Sequence, residues 1–297
     1  MTSGSTTLGG TESWPAPGKL NLFLHVTGRR PDGYHLLQTA FQFIDLCDEL
    51  RFWPRPAGVV ERCREVPGVP PEVDLTLRAA RRLRQEVPGR GPGVAIELRK
   101  CLPVQAGVGG GSSDAATVLV ALNELWGLGL SVERLASLGL ELGADVPVFV
   151  HGAAAWAEGI GDRLTPLDFP ESLYLLIRPD AVVSTAEIFE APELTRDSST
   201  IKIADFLTAG GRNDCEPVVR RRFPAVAEAL DWLGRFAPAR LTGTGACVFA
   251  AMPGEDAARA ALAEMPARWR GHVVRGLNRS PLGARLRRER ERSGIAR

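Results

Sequence analysis

Apolar and polar residues alternate strictly in the first clear element of the chain. In the segment KLNLFLHV, from Lys19 to Val26, the leucines and Val26 fall on one face, and Lys19 and Asn21 fall on the other. This period of two is typical of a half-buried β-strand and places Lys19 and Asn21 about 7 Å apart on its open face. The following RRPDGYH predicts a turn that presents Tyr34 and His35 just beyond it.

Patterns with the helical period follow in three segments. Residues 74–87 predict a helix that ends at Pro88 and Gly89, and residues 131–143 predict another that Ser131 caps. Between them, GVAIELRK (93–100) predicts a strand, and apolar residues from Ala115 to Trp126 recur as a buried helical stripe. Residues 143–162 indicate a return to strands and turns.

Strand and helix patterns alternate again beyond about Leu164, in LYLLIRP, FPAVAEALDWL, ACVFAAM and DAARAALAEM. The chain has 297 residues, more than the ~100–200 residues of one domain. We therefore predict an α+β protein with a flexible leader (1–13), a first domain (14–164) and a second, ferredoxin-like domain (165–297).

Charge and cysteine usage narrow the functional classes. The formal net charge is +1, so no overall field draws the chain to nucleic acid or an acidic membrane. The basic run RLRRERERSGIAR near the end alternates with glutamates and predicts a solvated helix end. The five cysteines form no C-x-x-C pair, which argues against a disulfide framework or a zinc site and favours the reducing cytoplasm. We see no membrane-spanning run or secretory signal, and His25, His151 and His272 have no metal-like spacing.

Glycine occupies four of the five positions from 107 to 111, in PVQAGVGGGSSDAAT, directly before the apolar helical stripe. Bare backbone amides at the start of a helix bind phosphate. The segment lacks the G-K-[ST] of a Walker A loop, and Ser112 stands where the dinucleotide pattern requires glycine. The alternative is a flexible turn that Ser113 or Asp114 caps. The glycine density and the preceding strand favour phosphate binding.

PVQAGVGGGSSDAAT resembles the ATP-binding motif of the GHMP kinases. PAPGKLNLFLHVTGRRPDGYHLLQT, LGADVPVF and LTGTGACVFA resemble the branch of that family that phosphorylates a cytidine diphosphate derivative of methylerythritol, on the non-mevalonate route to isoprenoid precursors. The resemblance runs from about Trp14 to Leu282. It implies a two-domain fold, with a first domain like domain 2 of ribosomal protein S5 and the active site in the cleft between the domains.

The resemblance implies that Lys19 and Asp145 are catalytic. Asp145 would accept the proton of the substrate hydroxyl, and Lys19 would stabilise charge on the transferred group. Lysine at 19 is notable in a chain with 33 arginines and three lysines, because arginine is the default cation here. The simpler interpretations are an exposed strand lysine and an aspartate that caps a short turn from Val146.

For ATP, which would arrive with Mg²⁺, the resemblance implies a binding loop. Its residues are Pro103, Val104, Gln105, Ala106, Gly107, Val108, Gly109, Gly110, Gly111, Ser112 and Ser113. Ser113 and Asp114 are weak candidates to lie near the metal. The chain departs from the family pattern, since Gln105 and Ala106 replace glycines, and Asp114 and Asp74 stand at asparagine positions.

The resemblance also implies a nucleobase clamp in which Tyr34 and Phe189 sandwich a cytosine ring and His35 bonds its edge, since flat bases pack well on aromatic faces. Further candidate substrate contacts are Asn21, Thr185, Gly243 and Gly245. The alternative interpretations are turn packing for Tyr34, core filling for Phe189 and a tight turn for the late glycines.

Three other functions are alternatives to the phosphorylation of a cytidyl substrate that the resemblance implies. A GHMP kinase for mevalonate-like or homoserine-like substrates would give the clamp nothing flat to bind. A non-catalytic nucleotide sensor would not need both Lys19 and Asp145. Nucleic-acid binding through the basic tail lacks interleaved aromatic residues. We expect a small-molecule substrate, no nucleic-acid or membrane partner, and a monomer or homodimer.

Overall fold

A computed structural model describes residues 10–65 and 69–294. Its strands are β1 (Trp14–Arg29), β2 (His35–Arg55), β3 (Val60–Arg62), β4 (Gly93–Arg99), β5 (Ala155–Glu158), β6 (Arg163–Pro166), β7 (Leu173–Arg178), β8 (Ala239–Leu241), β9 (Val248–Met252) and β10 (Arg270–Leu277). The helices are α1 (Leu75–Glu86), α2 (Gly110–Leu125), α3 (Val132–Leu140), α4 (Val146–His151), α5 (Thr185–Glu190), α6 (Ile203–Ala209), α7 (Glu216–Arg222), α8 (Pro224–Leu233), α9 (Glu255–Ala263) and α10 (Pro281–Arg292).

The long strand β2 organises the first half of the molecule. It pairs antiparallel with β1, β4 and β5, while β3 runs parallel to β4. Helix α2 is apolar on nearly every face, so it lies buried against this sheet with α1, α3 and α4 around it. The predicted helices at 74–87 and 131–143 correspond to α1, capped by Asp74, and α3, capped by Ser131.

The second half is an antiparallel sheet in the order β10-β7-β9-β8. Helices α8 and α9 pack on one face of it through Val226, Leu230, Ala258 and Ala261. The connectivity β7-α8-β8-β9-α9-β10 is that of a ferredoxin-like domain, as predicted. The end of β10 pairs with β2 and joins the two halves into one sheet.

The prediction of a half-buried first strand was wrong in two respects. Register shifts between Asn21 and Leu24 interrupt the pairing of β1 with β2, so Leu22 and Phe23 enter the same apolar cluster instead of opposite faces. Lys19 and Asn21 are only 3% exposed, because the glycine loop and the 242–245 loop cover that face.

The segment 143–162, predicted as strands and turns, contains the short helix α4 before β5. Pro147 lies in its first turn, where proline is tolerated because the amide there needs no intrahelical partner.

The end of the chain also differs from the prediction. Helix α10 was assigned to the second domain (165–297) with a solvated end, but Leu282 packs in the core of the first half. Arg285 is 2% exposed and lies over the Trp14 ring at 4.4 Å, so this part of the basic run is buried. Residues 1–9 of the predicted leader lie outside the described residues, whereas Thr11 donates its amide to Phe52 O at 3.0 Å.

Candidate active site

A cavity of about 1080 Å³ lies where the two halves meet. Its walls come from β1, the start of β2, the glycine loop, the start of α4, helix α5 and the 242–245 loop. The predicted site residues on its walls are Lys19, Asn21, Tyr34, His35, Pro103, Val104, Gln105, Ala106, Gly107, Gly109, Gly110, Gly111, Ser112, Asp114, Asp145, Thr185, Phe189 and Gly243.

Three predicted residues lie beside the cavity instead of on its walls. Val108 and Ser113 are buried, because Val108 belongs to an apolar cluster and Ser113 lies inside the first turn of α2. Gly245 packs behind Gly243, where a side chain would lie within 3.1 Å of Leu241. These three residues therefore shape the loops from behind, and their assignment as ligand contacts stays a prediction.

The glycine loop is held tightly against the 242–245 loop. Gly107 has φ +76°, and a Cβ there would lie 2.1 Å from Thr242 O. The Thr242 hydroxyl donates to Gly107 O at 3.1 Å. Only glycine meets both the left-handed backbone and the close approach at position 107.

The start of α2 presents bare backbone to the cavity. The N-cap is Gly109, with φ +71° and no side-chain cap, so the alternative of a turn capped by Ser113 or Asp114 is wrong. Gly110 and Gly111 form the first turn of the helix and lie on the cavity wall. The first amides of a helix lack intrahelical partners and carry partial positive charge, so this end can accept phosphate oxygens.

Lys19 and Asp145, far apart in sequence, meet beside this helix start. Lys19 Nζ lies 3.3 Å from Asp145 Oδ2 and also donates a hydrogen bond to Asn21 Oδ1. Its charge lies 5.1 Å from the centre of the Phe41 ring. A Cβ on Gly109 would come within 3.1 Å of Lys19 Cε, so the bare loop also makes room for the lysine stem.

Hydrogen bonds from three elements fix the position of Asn21. Its amide group donates to Thr39 Oγ1 at 2.9 Å, and its backbone amide donates to Thr242 Oγ1 at 3.0 Å. Asn21 Oδ1 is therefore turned towards Lys19. Thr39 and Thr242 were missed in the sequence, where isolated threonines carry no pattern.

Asp145 is at the N-cap position of α4, yet its side chain makes no capping hydrogen bond. The carboxylate turns to Lys19 and remains 34% exposed on the cavity wall. A carboxylate that serves no cap and faces a cavity beside a buried lysine is available for chemistry.

Two members of the predicted nucleobase clamp lie in contact. The His35 and Phe189 rings stack with centroids 4.9 Å apart and an interplanar angle of 24°. Tyr34 is 59% exposed at the rim, and Thr185 on α5 bonds to Thr244 through their hydroxyls at 3.0 Å. Arg196 was missed in the sequence, although its Nε donates to His35 Nε2 at 3.1 Å.

A buried charge cluster underlies the start of α2. Lys100 Nζ donates to Asp48 Oδ2 at 2.5 Å and to Asp114 Oδ2 at 2.8 Å. Burial raises the pKa of Asp114 to about 8, with Lys100 opposing the rise and Asp48 adding to it. The same cluster raises the pKa of Lys100, since the two carboxylates outweigh its burial. Asp48 and Lys100 were not predicted, although Lys100 is one of only three lysines.

Of the two predicted metal candidates, only Asp114 lies on the cavity wall. Asp114 Oδ2 accepts from Lys100 while Oδ1 has no partner among the described residues, and Ser113 is enclosed in α2 away from the cavity. Among residues 10–65 and 69–294, no group of three or more His, Cys, Asp or Glu could hold a metal ion. Magnesium can be carried largely by phosphate oxygens and water, so its protein ligands need not be preformed.

Comparison with known proteins identifies the family. The model for the GHMP kinases N terminal domain matches residues 74–153, and that for the GHMP kinases C terminal matches residues 193–271. The 4-diphosphocytidyl-2-C-methyl-D-erythritol kinase of Nitrosococcus oceani is 59% identical over 91% of this chain and 96% of its own length. The kinase of the same name from Halorhodospira halophila is 58% identical over 91% and 94%. The chain belongs to this family of GHMP kinases.

Solved structures agree with this membership. A crystal structure of a 4-(cytidine 5'-diphospho)-2C-methyl-D-erythritol kinase matches with a TM-score of 0.78 at 34% identity, over 89% of this chain and 98% of that one. A mevalonate kinase matches with a TM-score of 0.66 at 16% identity, over 90% and 100%, which shows a common fold alone. The predicted α+β GHMP kinase fold is therefore confirmed, and membership of a kinase family makes ATP the co-substrate. None of the described helices is long and apolar enough to cross a membrane.

Proposed function

We propose that the protein transfers the γ-phosphoryl group of ATP to the 2-hydroxyl of 4-diphosphocytidyl-2-C-methyl-D-erythritol. The products are the 2-phosphate and ADP. The observation that carries this proposal is the Lys19–Asp145 ion pair of 3.3 Å, on the wall of the cavity that the bare start of α2 also lines. Relatives at 53–59% identity that carry this kinase name support the choice of substrate.

Asp145 and Lys19 divide the chemistry between them. The substrate hydroxyl oxygen attacks the γ-phosphorus and forms the new P–O bond, while the bond to the ADP oxygen breaks. Asp145 Oδ accepts the hydroxyl proton, and Lys19 stabilises negative charge on the phosphoryl oxygens. Phosphoryl transfer needs positioning more than covalent chemistry, so a pair held by Asn21 and the glycine loop is sufficient.

The aromatic pair favours a substrate that carries a base. Phe189, which stacks on His35, provides an aromatic face at the cavity wall, and Tyr34 lies at its rim. A pyrimidine ring can pack on such a surface, whereas mevalonate and homoserine have no flat group to place there. The fold shared with mevalonate kinase does not bear on this choice.

A coupled ADP-release assay tests the proposal, with the cytidyl substrate, mevalonate and homoserine offered separately. We expect turnover with the cytidyl substrate alone. Asp145→Asn should lower kcat about 10²–10⁴-fold, because the amide cannot accept the proton. Asp168→Asn, on an exposed aspartate paired with Arg279, serves as the matched control. Turnover with only mevalonate or homoserine would contradict the proposed substrate. Normal turnover by Asp145→Asn would contradict the proposed mechanism.

Three further expectations belong to this proposal. The five cysteines carry free thiols, and one of them is exposed. Free thiols favour a location of the protein in the reducing cytoplasm. Magnesium would neutralise the triphosphate when it is bound with ATP. A monomer or homodimer stays a prediction that sedimentation can test.

A further inference from the structure

Arg196 connects the two rings of the candidate base-binding surface. Its Nε donates to His35 Nε2 at 3.1 Å, and its Nη2 donates to Phe189 O and Ala191 O, both at 2.8 Å. Nη1 donates to Leu194 O at 3.0 Å. One partly buried guanidinium therefore holds the histidine ring from β2 and the carbonyl groups at the end of α5.

The bond to His35 determines where the imidazole carries its proton. A guanidinium N–H can only donate, so His35 Nε2 must offer a lone pair to it. The single proton of the neutral ring then lies on Nδ1. The Nε2–H tautomer would set two donors against each other across 3.1 Å.

The charges around His35 also favour the neutral ring. Burial lowers the pKa of His35 first, and the cations Arg196 and Arg29 lower it further. Arg196 approaches from the segment after α5, and Arg29 lies at the end of β1. The ring therefore stays uncharged at neutral pH.

We propose that Arg196 is a positioning residue that fixes the Nδ1–H tautomer of His35 and the stacked arrangement of His35 with Phe189. The His35 ring then presents one N–H donor, in a fixed position, to the edge of the bound base. In cytosine that edge carries hydrogen-bond acceptors. This role deepens the proposed function and rests on it only for the identity of the bound base.

The tautomer is measured directly by ¹⁵N NMR of histidine-labelled protein. The chain has four histidines, and His35→Asn identifies the resonances of the ring. We expect a protonated Nδ1 and an unprotonated Nε2 in the wild type at neutral pH. In Arg196→Met the Nε2–H tautomer should appear, and the titration midpoint should rise towards the ordinary value of about 6.5. An unchanged tautomer and midpoint in Arg196→Met would overturn the proposal.

Kinetics test whether this positioning matters for substrate. Arg196→Met should raise KM for the cytidyl substrate about tenfold, because the substrate loses binding affinity when one hydrogen-bonding group is no longer held in place. KM for ATP should stay within about twofold of the wild-type value. Arg196→Lys keeps the positive charge but lacks the planar set of guanidinium donors, so it should restore little of the affinity for the cytidyl substrate. It also provides a folded comparison if the methionine variant is unstable. The matched control is Arg222→Met, at a partly buried arginine that pairs with Glu193.

Two results separate the possible failures. Equal rises in both KM values would indicate a general structural role and overturn the positioning role. If the wild type does not turn over the cytidyl substrate, the proposed function fails, while the NMR experiment still decides the role of Arg196.

Discussion

At the scale of single residues, Asp114 differs from the other member of its pair, Asp48, in how its charge is satisfied. Asp48 accepts from Lys100 and from the backbone amides of Cys101 and Leu102, at 2.5, 2.6 and 2.7 Å. Within residues 10–65 and 69–294, Asp114 accepts from Lys100 alone, and its Oδ1 has no partner. One lysine cannot fully compensate two buried carboxylates, so Asp114 is the group that keeps a proton.

This difference predicts a pH-dependent stability. The pKa of Asp114 is raised from 3.8 to about 8, so the folded protein keeps a proton that the unfolded chain releases. The contribution of Asp114 to the free energy of unfolding therefore falls as pH rises from about 4 to about 8, and is constant above that range. Asp114→Asn cannot titrate and should gain stability relative to the wild type across this window.

Urea unfolding at about pH 5, 7 and 9 measures this gain, which should grow with each step up to about pH 8. The exposed variant Asp168→Asn is the control. A gain of the same size at every pH would show that Asp114 is ionised throughout.

Residue composition predicted part of the site. The scarcity of lysine drew attention to Lys19, and the same argument applies to Lys100. Asp48 and Arg196 could not be found in this way, because their partners lie 52 and 161 positions away and neither belongs to a periodic pattern. Contacts of that separation are created by the fold.

At the scale of elements, the approach of the glycine loop to the 242–245 loop predicts a sharp contrast between two glycines. Gly107 and Gly127 both have positive φ, but a Cβ on Gly107 would meet Thr242 O at 2.1 Å. A Cβ on Gly127 would have no atom of the described part of the chain within 4 Å. Gly127→Ala should cost only the backbone strain of about 1–2 kcal/mol. Gly107→Ala should cost more, and should also weaken ATP binding because the loop must move.

Denaturant unfolding and calorimetric titration with ATP measure both effects. The expected order is a larger loss of stability in Gly107→Ala and a loss of ATP affinity in that variant alone. Equal losses in the two variants would mean that the loops are not held together as the structure indicates.

The elements that the sequence predicted well are those with a local cause. Ser131 and Asp74 cap their helices, and the Pro-Asp-Gly turn precedes β2 as expected. The exception is β1, where alternation predicted two faces for Leu22 and Phe23. A bulge responds to the pairing strand rather than to the sequence of one strand, so periodicity alone does not reveal it.

At the scale of the whole molecule, helix α10 returns to the first strand, β1. Helix α10 follows the second domain but packs on β1 and α2, and Arg285 is its buried anchor. The guanidinium lies over Trp14, donates to Ser13 O at 3.1 Å and pairs with Glu289 at 2.7 Å. Sequence reasoning assigned this basic run to solvent because alternating charges usually line an exposed face, and nothing local reveals a partner 272 positions away.

This anchor predicts that the last helix stabilises the first domain. Arg285→Met keeps much of the apolar stem but leaves Ser13 O without this donor and Glu289 with only Arg292, so it should cost about 1–3 kcal/mol of unfolding free energy. Arg288→Met, on the exposed side of the same helix, should change stability by less than about 0.5 kcal/mol. Urea unfolding compares the two, while kcat of the folded enzyme should stay unchanged, since α10 does not line the cavity. Equal stability of the two variants would mean that Arg285 does not anchor α10. The apolar core of the first half of the molecule would then be stable without the attachment of this helix.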